Sequence, residues 1–85
     1  MIYVYEGKAG SGKTREMIKD FCENRKSNFI LIDEGEMFMK ENPDFDFSKY
    51  ELNNSYHDLF ITFQKTPKEI KRLRGVTIIS KEILK

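Results

Sequence analysis

Ile2–Thr14 reads IYVYEGKAGSGKT and decides the fold of this 85-residue chain. Its first four residues are β-branched or aromatic, which predicts a strand that is buried on both faces. The segment that follows, Gly7–Thr14, is here called the glycine-rich loop. It satisfies the Walker A pattern G-x-x-x-x-G-K-[ST], which belongs between a strand and a helix. The expected helix runs from Thr14 to near Arg25, because apolar residues recur there at the spacing of one helical face.

The rest of the chain alternates between strand and helix patterns. Apolar runs predict three more strands, at Phe29–Ile32, Leu59–Phe63 and Val76–Ile79. Turn and capping signals predict three more helices, at Glu36–Lys40, from Lys49 to about Tyr56 with Ser48 as its cap, and from Pro67 to about Arg74 with Thr66 as its cap. Lys81–Lys85 reads as a polar tail. This alternation predicts an α/β three-layer sandwich around a four-stranded parallel sheet.

Length and composition limit the classes of protein that remain. A chain this short forms one domain, residues 1–85, because it has too little core for a second unit. The formal net charge is only +1, so any contact with nucleic acid must come from a local basic surface. Cys22 is the single cysteine, which favours a reducing, cytoplasmic location, in the host if a phage encodes the chain. No apolar stretch approaches the ~20 residues that span a bilayer, so we expect no membrane contact.

The glycine-rich loop carries the strongest functional signal. Its glycines let successive backbone N–H groups turn inward toward a phosphate, and the following helix adds the positive end of its dipole. We expect Lys13 to reach the β- and γ-phosphates of ATP and the Thr14 hydroxyl to ligate Mg²⁺. The predicted nucleotide contacts are Gly7, Lys8, Ala9, Gly10, Ser11, Gly12, Lys13 and Thr14.

Two acids follow the second strand, as in a Walker B motif. Asp33 and Glu34 come directly after Phe29–Ile32, at the strand end where α/β sheets bind ligands. We expect Asp33 to hold Mg²⁺ through water and Glu34 to act as the general base on the attacking water. The alternative is that both acids only begin a helix, where the dipole favours negative charge.

A polar amide follows the third strand. Gln64 comes just after Leu59–Phe63, where it could orient the attacking water or sense the γ-phosphate. The alternative is an ordinary surface glutamine in a loop.

These segments together resemble a known group of proteins. Met1–Tyr3, Gly7–Thr14, Ile30–Glu34 and His57-Asp58 before Phe60–Gln64 resemble the additional-strand P-loop ATPases, especially the zonula occludens toxin-like branch near the FtsK and HerA translocases. The resemblance implies the strand order 4-1-3-2 in chain numbering. It also implies the roles given above for Lys13, Thr14, Asp33, Glu34 and Gln64. A phage or mobile-element origin and work on nucleic acid or phage assembly are part of the same expectation.

Two further surfaces have open interpretations. The basic residues Lys65, Lys68, Lys71, Arg72 and Arg74 could form a solvated helix face, a nucleic-acid contact, or a source of arginine fingers from Arg72 or Arg74 to a neighbour's nucleotide. The aromatic residues Phe38, Phe45, Phe47, Tyr50 and Tyr56 exceed what so small a core easily buries, so we expect a subunit or partner surface there.

The leading functional hypothesis is a minimal Mg²⁺-dependent ATPase that works as a homo-oligomer or with a larger partner ATPase. A non-catalytic nucleotide-binding module that regulates a larger ATPase is the second hypothesis. A small P-loop kinase is the third. Lys8 also allows comparison with partitioning-type ATPases, whose deviant Walker loop has a lysine after the first glycine, but the second switch motif of those proteins is missing.

Overall fold

The computed structural model describes residues 1–23, 29–50 and 58–84 of the chain. Its strands are β1 (Ile2–Glu6), β2 (Phe29–Ile32), β3 (Asp58–Phe63) and β4 (Ile78–Glu82). Its helices are α1 (Lys13–Glu23), α2 (Gly35–Glu41) and α3 (Lys68–Lys71), with one 3₁₀ helix at Phe47–Lys49.

The four strands form one parallel sheet in the order β2-β3-β1-β4. This is the predicted α/β class, and the predicted order 4-1-3-2 is confirmed. Ile2 of β1 lies opposite Leu59 of β3 and Ile78 of β4, and Ile32 at the end of β2 lies opposite Ile61. Because all strands are parallel, the residues that follow β1, β2 and β3 meet at one edge of the sheet.

Alternate residues of β1 face the two layers that cover the sheet. Ile2 and Val4 belong to the larger core, which α2, the 3₁₀ helix and α3 cover. Tyr5 faces the other side, where it packs with Met17 of α1 and Phe60 of β3. The sheet is therefore sandwiched between helices on both faces, as the alternating sequence pattern predicts.

The third helix is shorter than predicted. α3 covers only Lys68–Lys71, and Pro67 rather than Thr66 occupies the capping position. The Thr66 N–H donates instead to the Glu6 carboxylate at 2.7 Å, so Thr66 is held to the end of β1. The chain leaves the helix before Gly75, whose positive φ of 76° is a left-handed conformation that glycine adopts readily.

The fourth strand begins later than predicted and includes part of the predicted tail. Sequence predicts Val76–Ile79, whereas β4 is Ile78–Glu82. Parallel pairing with β1 sets this register, placing Glu82 opposite Glu6, and the Ile83 N–H continues the ladder to the Glu6 carbonyl at 2.7 Å. An edge strand accepts polar residues on its exposed side, so hydrophobicity alone misplaces it.

The middle of the chain also departs from prediction. Asp46, not Ser48, caps a 3₁₀ helix that ends at Lys49, so no α-helix begins there. Residues 51–57, with the rest of that predicted helix and His57, lie outside the described residues, as do residues 24–28 with the predicted end of the first helix.

The predicted aromatic partner surface is also corrected within the described part of the chain. Phe38, Phe45, Phe47 and Tyr50 pack in the larger core and against one another, with ring centroids 4.8–6.1 Å apart. The chain folds back over the sheet here, and the Tyr50 carbonyl accepts the N-terminal amine at 2.7 Å. Tyr56 lies outside the described residues.

The longest helix in the described ranges is the 11-residue α1, and no helix there meets the length and hydropathy that crossing a bilayer requires.

Candidate functional site

Two glycines determine the shape of the glycine-rich loop between β1 and α1. Gly10 has φ 78° and Gly12 has φ 91°, a left-handed conformation that costs other residues roughly 1–2 kcal/mol. A Cβ at either position would meet no atom within 4 Å, so the requirement for glycine is conformational. The Ser11 N–H closes the turn on the Lys8 carbonyl at 3.0 Å.

Gly7 is required for a different, steric reason. It is buried at the end of β1, and a Cβ there would collide with the Ser11 hydroxyl and lie 3.0 Å from the Ile83 carbonyl. The Ser11 Oγ is buried and has no hydrogen-bond partner in the described part of the chain. The first glycine thus lets the loop pack closely on the end of β4.

Lys13 and Thr14 begin α1 at the end of the loop. The Lys13 ammonium donates to the Lys8 carbonyl at 3.2 Å, a contact exposed to solvent. The Thr14 hydroxyl donates to Asp33 Oδ1 at 2.9 Å, across 19 residues of sequence. The last residue of the Walker A pattern therefore contacts the first acid of the Walker B pattern directly.

Asp33 Oδ1 is the centre of a small hydrogen-bond network at the end of β2. It accepts from the Thr14 hydroxyl, from the Thr62 hydroxyl at 2.7 Å and from the Glu34 N–H at 3.0 Å. Desolvation by burial would raise the pKa of Asp33. The three hydrogen bonds and the nearby positive charge of Lys13 outweigh it and hold that pKa below its ordinary value. Asp33 is thus an ionised carboxylate at neutral pH.

Glu34 has an unusual backbone conformation. Its φ of 54° and ψ of 63° are left-handed, which costs a residue other than glycine about 1–3 kcal/mol. The Glu34 N–H donates both to Thr62 Oγ1, at 2.9 Å, and to Asp33 Oδ1. These contacts hold the strained residue, whose side chain is exposed.

Gly35 brings the start of α2 against β3. An added Cβ would lie 2.5 Å from Phe63 Cε1 and 2.6 Å from the Thr62 carbonyl, so no other residue fits without movement of the strand. The end of β2, the start of α2 and β3 are thus packed as one unit.

The predicted site residues from three elements share one cavity of about 550 Å³. Its lining residues are Ala9, Gly10, Lys13, Thr14, Asp33, Glu34, Glu36, Met37, Lys40 and Gln64. Two features of the lining matter for chemistry. The lining includes the ammonium groups of Lys13 from the loop and Lys40 from α2, and it also includes three carboxylates and the Gln64 amide. The predicted set Lys13, Thr14, Asp33, Glu34 and Gln64 is therefore brought together.

A second cavity of about 540 Å³ lies on the β4 side of the loop. Gly7, Lys8 and Ser11 line it with Ile83 and Leu84. It shares Ala9, Gly10 and Gln64 with the first cavity, so the loop separates two adjoining spaces. Gly12 lines a further recess at the start of α1.

Arg72 and Arg74 are not brought to this site. Both are exposed, at and beyond the end of α3, and neither lines the cavities around the glycine-rich loop. The other basic residues of the predicted surface, Lys65, Lys68 and Lys71, are exposed as well.

Sequence reasoning missed five residues of the site: Met37 and Lys40, which line the cavity, and Thr62, Gly35 and Glu36. Thr62 reads as one more residue of an apolar strand, Gly35 as part of a turn, and Glu36 as an acid of a helix start. The available signals were a hydroxyl inside an otherwise apolar strand and a glycine directly after paired acids. Neither of these two signals indicates which atoms are in contact in the folded chain.

Thr14 and Asp33 are the candidate metal-holding side chains of the cavity. No cluster of three or more His, Cys, Asp or Glu side chains suited to a metal ion occurs among the described residues. Mg²⁺ commonly keeps several waters and takes one or two protein ligands besides phosphate oxygens. Thr14 and Asp33 could supply that small set, and Lys13 with the loop N–H groups could hold phosphate.

No family model, no curated protein and no solved structure matches this chain.

Proposed function

We propose that this chain binds ATP with Mg²⁺ and hydrolyses it. The observation that carries the proposal is the 2.9 Å contact between the Thr14 hydroxyl and Asp33 Oδ1. Thr14 ends the Walker A pattern and Asp33 begins the Walker B pattern, and a magnesium nucleotide requires these two side chains side by side. Sequence alone predicts each of them but not their contact.

Lys13 and the loop backbone would bind the phosphates. The Lys13 ammonium donates to a neutral carbonyl, that of Lys8, and this contact is exposed, so a phosphate oxygen would be a stronger partner. Gly10 and Gly12 supply the left-handed turns that such a loop requires.

Thr14 and the ionised Asp33 would hold Mg²⁺, Thr14 by its hydroxyl and Asp33 through water. When bound, the ion would neutralise charge on the phosphate oxygens. The low pKa of Asp33 supports this role, since the carboxylate stays charged throughout the neutral range.

Glu34 and Gln64 would handle the attacking water. Both line the cavity that Lys13 and Thr14 line, and the Glu34 carboxylate is exposed to it. Glu34 would accept the proton of the water as it attacks the γ-phosphate, and the Gln64 amide would orient that water.

Steady-state phosphate release tests the catalytic part of the proposal. Glu34→Gln should keep Mg·ATP binding and lose about 10²- to 10⁴-fold in turnover, because the proton acceptor is removed. Glu41→Gln is the matched control, since Glu41 lies on the exposed end of α2. Turnover of Glu34→Gln at the wild-type rate would remove Glu34 from the base role.

The second hypothesis, a nucleotide-binding module that regulates a larger ATPase, would take first place if the wild type bound Mg·ATP without turnover. Phosphate transfer to an added acceptor in place of release would favour the kinase hypothesis. Homo-oligomer formation and a partner ATPase remain parts of the proposal that concern the assembled state. So does nucleic-acid contact through Lys65, Lys68, Lys71, Arg72 and Arg74.

A further inference from the structure

Glu36 joins the start of α2 to the loop after β3. Its Oε2 accepts the backbone N–H of Gln64 at 2.7 Å and that of Lys65 at 3.0 Å. The partners are 28 and 29 residues away in sequence, so this is a tertiary contact. One carboxylate oxygen therefore fixes two consecutive peptide groups.

The two peptide groups lie where β3 has ended. Gln64 is the first residue beyond the strand. A chain that has left a strand is no longer held by sheet hydrogen bonds, so other contacts must fix its direction. Hydrogen bonds to a carboxylate are shorter and stronger than those between neutral groups. Glu36 thus sets the backbone direction from which the Gln64 side chain extends.

The backbone at Glu36 is itself held in place by close packing of its neighbours. It is the second residue of α2, after Gly35, which packs so closely on Phe63 and the Thr62 carbonyl that no Cβ fits. Glu34, one residue earlier, is held by Thr62 and Asp33. The position of Glu36 is therefore set by the same packing that sets the proposed base.

We propose that Glu36 is a positioning residue that holds Gln64 toward the nucleotide cavity and in fixed relation to Glu34. This inference rests on the proposed ATPase function and assigns it a residue that the Walker patterns do not contain. Glu36 and Gln64 line the same cavity, so a competing role for Glu36 is direct action as the base on water. The contacts of its Oε2 with two N–H groups favour positioning.

The charge and the acceptor geometry of Glu36 can be separated by substitution. Glu36→Gln keeps an acceptor oxygen at the same distance from the backbone, whereas Glu36→Ala removes it. A positioning role predicts that Glu36→Gln keeps most of kcat while Glu36→Ala loses about 10- to 100-fold, the cost of a small misplacement of a reacting group. KM for ATP should stay near the wild-type value in both variants, because the phosphate-binding loop is untouched. Glu41→Ala, on the same helix, is the control.

Two further measurements complete the test on the full chain. Hydrogen exchange of the Gln64 and Lys65 amides, followed by NMR, should accelerate in Glu36→Ala and stay slow in Glu36→Gln. The double variant Glu36→Ala/Gln64→Ala should be no slower in turnover than Gln64→Ala alone, because Glu36 acts through Gln64.

Each contrary result overturns the inference. Unchanged exchange in Glu36→Ala would show that the contact does not hold the loop. A loss of kcat in Glu36→Gln as large as that in Glu34→Gln would make Glu36 a base and not a positioning residue. Absence of turnover in the wild type would instead refute the proposed hydrolysis, and the exchange result would still decide whether Glu36 holds the Gln64 backbone.

Discussion

Thr62→Val tests the network that joins β3 to the two acids after β2. Valine has nearly the shape of threonine, so the fully buried side chain keeps its packing while its hydroxyl is lost. That hydroxyl donates to Asp33 Oδ1 at 2.7 Å and accepts from the Glu34 N–H at 2.9 Å. The substitution therefore removes two hydrogen bonds and no volume.

The expected loss of stability depends on which hydrogen bonds Asp33 and Glu34 keep in Thr62→Val. Asp33 Oδ1 still accepts from Thr14 and from the Glu34 N–H, so neither former partner of Thr62 is left without a hydrogen bond. A bond to a charged group contributes roughly 1.5–3 kcal/mol and one between neutral groups about 0.5–1.5 kcal/mol. Because Asp33 is exposed and the N–H keeps a second acceptor, we expect a net loss of about 1–2 kcal/mol in the free energy of unfolding. For a domain of this size that lowers Tm by roughly 4–16 °C.

Urea unfolding followed by circular dichroism measures this loss. Thr77→Val is the matched control, because it makes the same change at an exposed position. Thr62→Ser keeps the hydroxyl but deletes one buried methyl group, which costs about 1 kcal/mol by itself, so it is not a full rescue. A Thr62→Val protein as stable as the control at pH 7 would refute the network as a source of stability.

The same variant has a predicted pH dependence. The pKa of Asp33 is lower in the folded chain than its usual value of about 3.9, so the stability from its ionised form is present above that value. It is lost as pH falls through the folded pKa. Thr62→Val moves the pKa back toward its usual value, so the stability difference between wild type and variant should be largest at neutral pH and shrink below about pH 4. A difference that stays constant down to pH 3 would contradict this origin.

Three other substitutions test the packing of Gly35 and the proposed arginine fingers. Gly35→Ala should destabilise the fold by about 1–3 kcal/mol or more, since its Cβ has no space against Phe63, with Glu41→Ala as the control in urea unfolding; an unchanged midpoint would refute the close packing. Arg72→Ala and Arg74→Ala should each leave ATP affinity unchanged and lower ATPase activity only where activity rises with protein concentration, with an arginine finger supplying about 10³ to 10⁵ in rate. Light scattering on the same dilution series measures assembly, and constant activity per molecule in a monomeric sample would remove the trans-acting arginines.

The sequence was sufficient for the parts of the fold that depend on local pattern. The strand before the glycine-rich loop, the helix after it and β2 occur where their residues predict them, because a short continuous apolar run indicates a strand and apolar residues at helical spacing indicate a helix. Strand order came from the resemblance and is the order observed.

Features set by pairing across the sheet could not be predicted in this way. β4 extends through Lys81 and Glu82, since its register comes from its neighbour β1 and not from its own hydrophobicity. The roles of Thr62 and Glu36 depend on how β3 and α2 lie against each other, and nothing in the local spacing encodes that. Site residues that belong to a sequence motif can therefore be predicted from the sequence. The residues that position them can be identified only from the folded structure.

Calorimetric titration of ATP into the wild-type chain, with and without Mg²⁺, tests the central claim most directly. Lys13→Ala should lose nucleotide binding while its circular dichroism spectrum stays native, because the exposed ammonium contacts a loop carbonyl and supports no core packing. Lys19→Ala, exposed on the same helix, should bind as the wild type does. We expect saturable Mg²⁺-dependent binding in the wild type and in Lys19→Ala, and none in Lys13→Ala. Equal ATP affinity in all three proteins, or no binding by the wild type, would contradict the proposed nucleotide site.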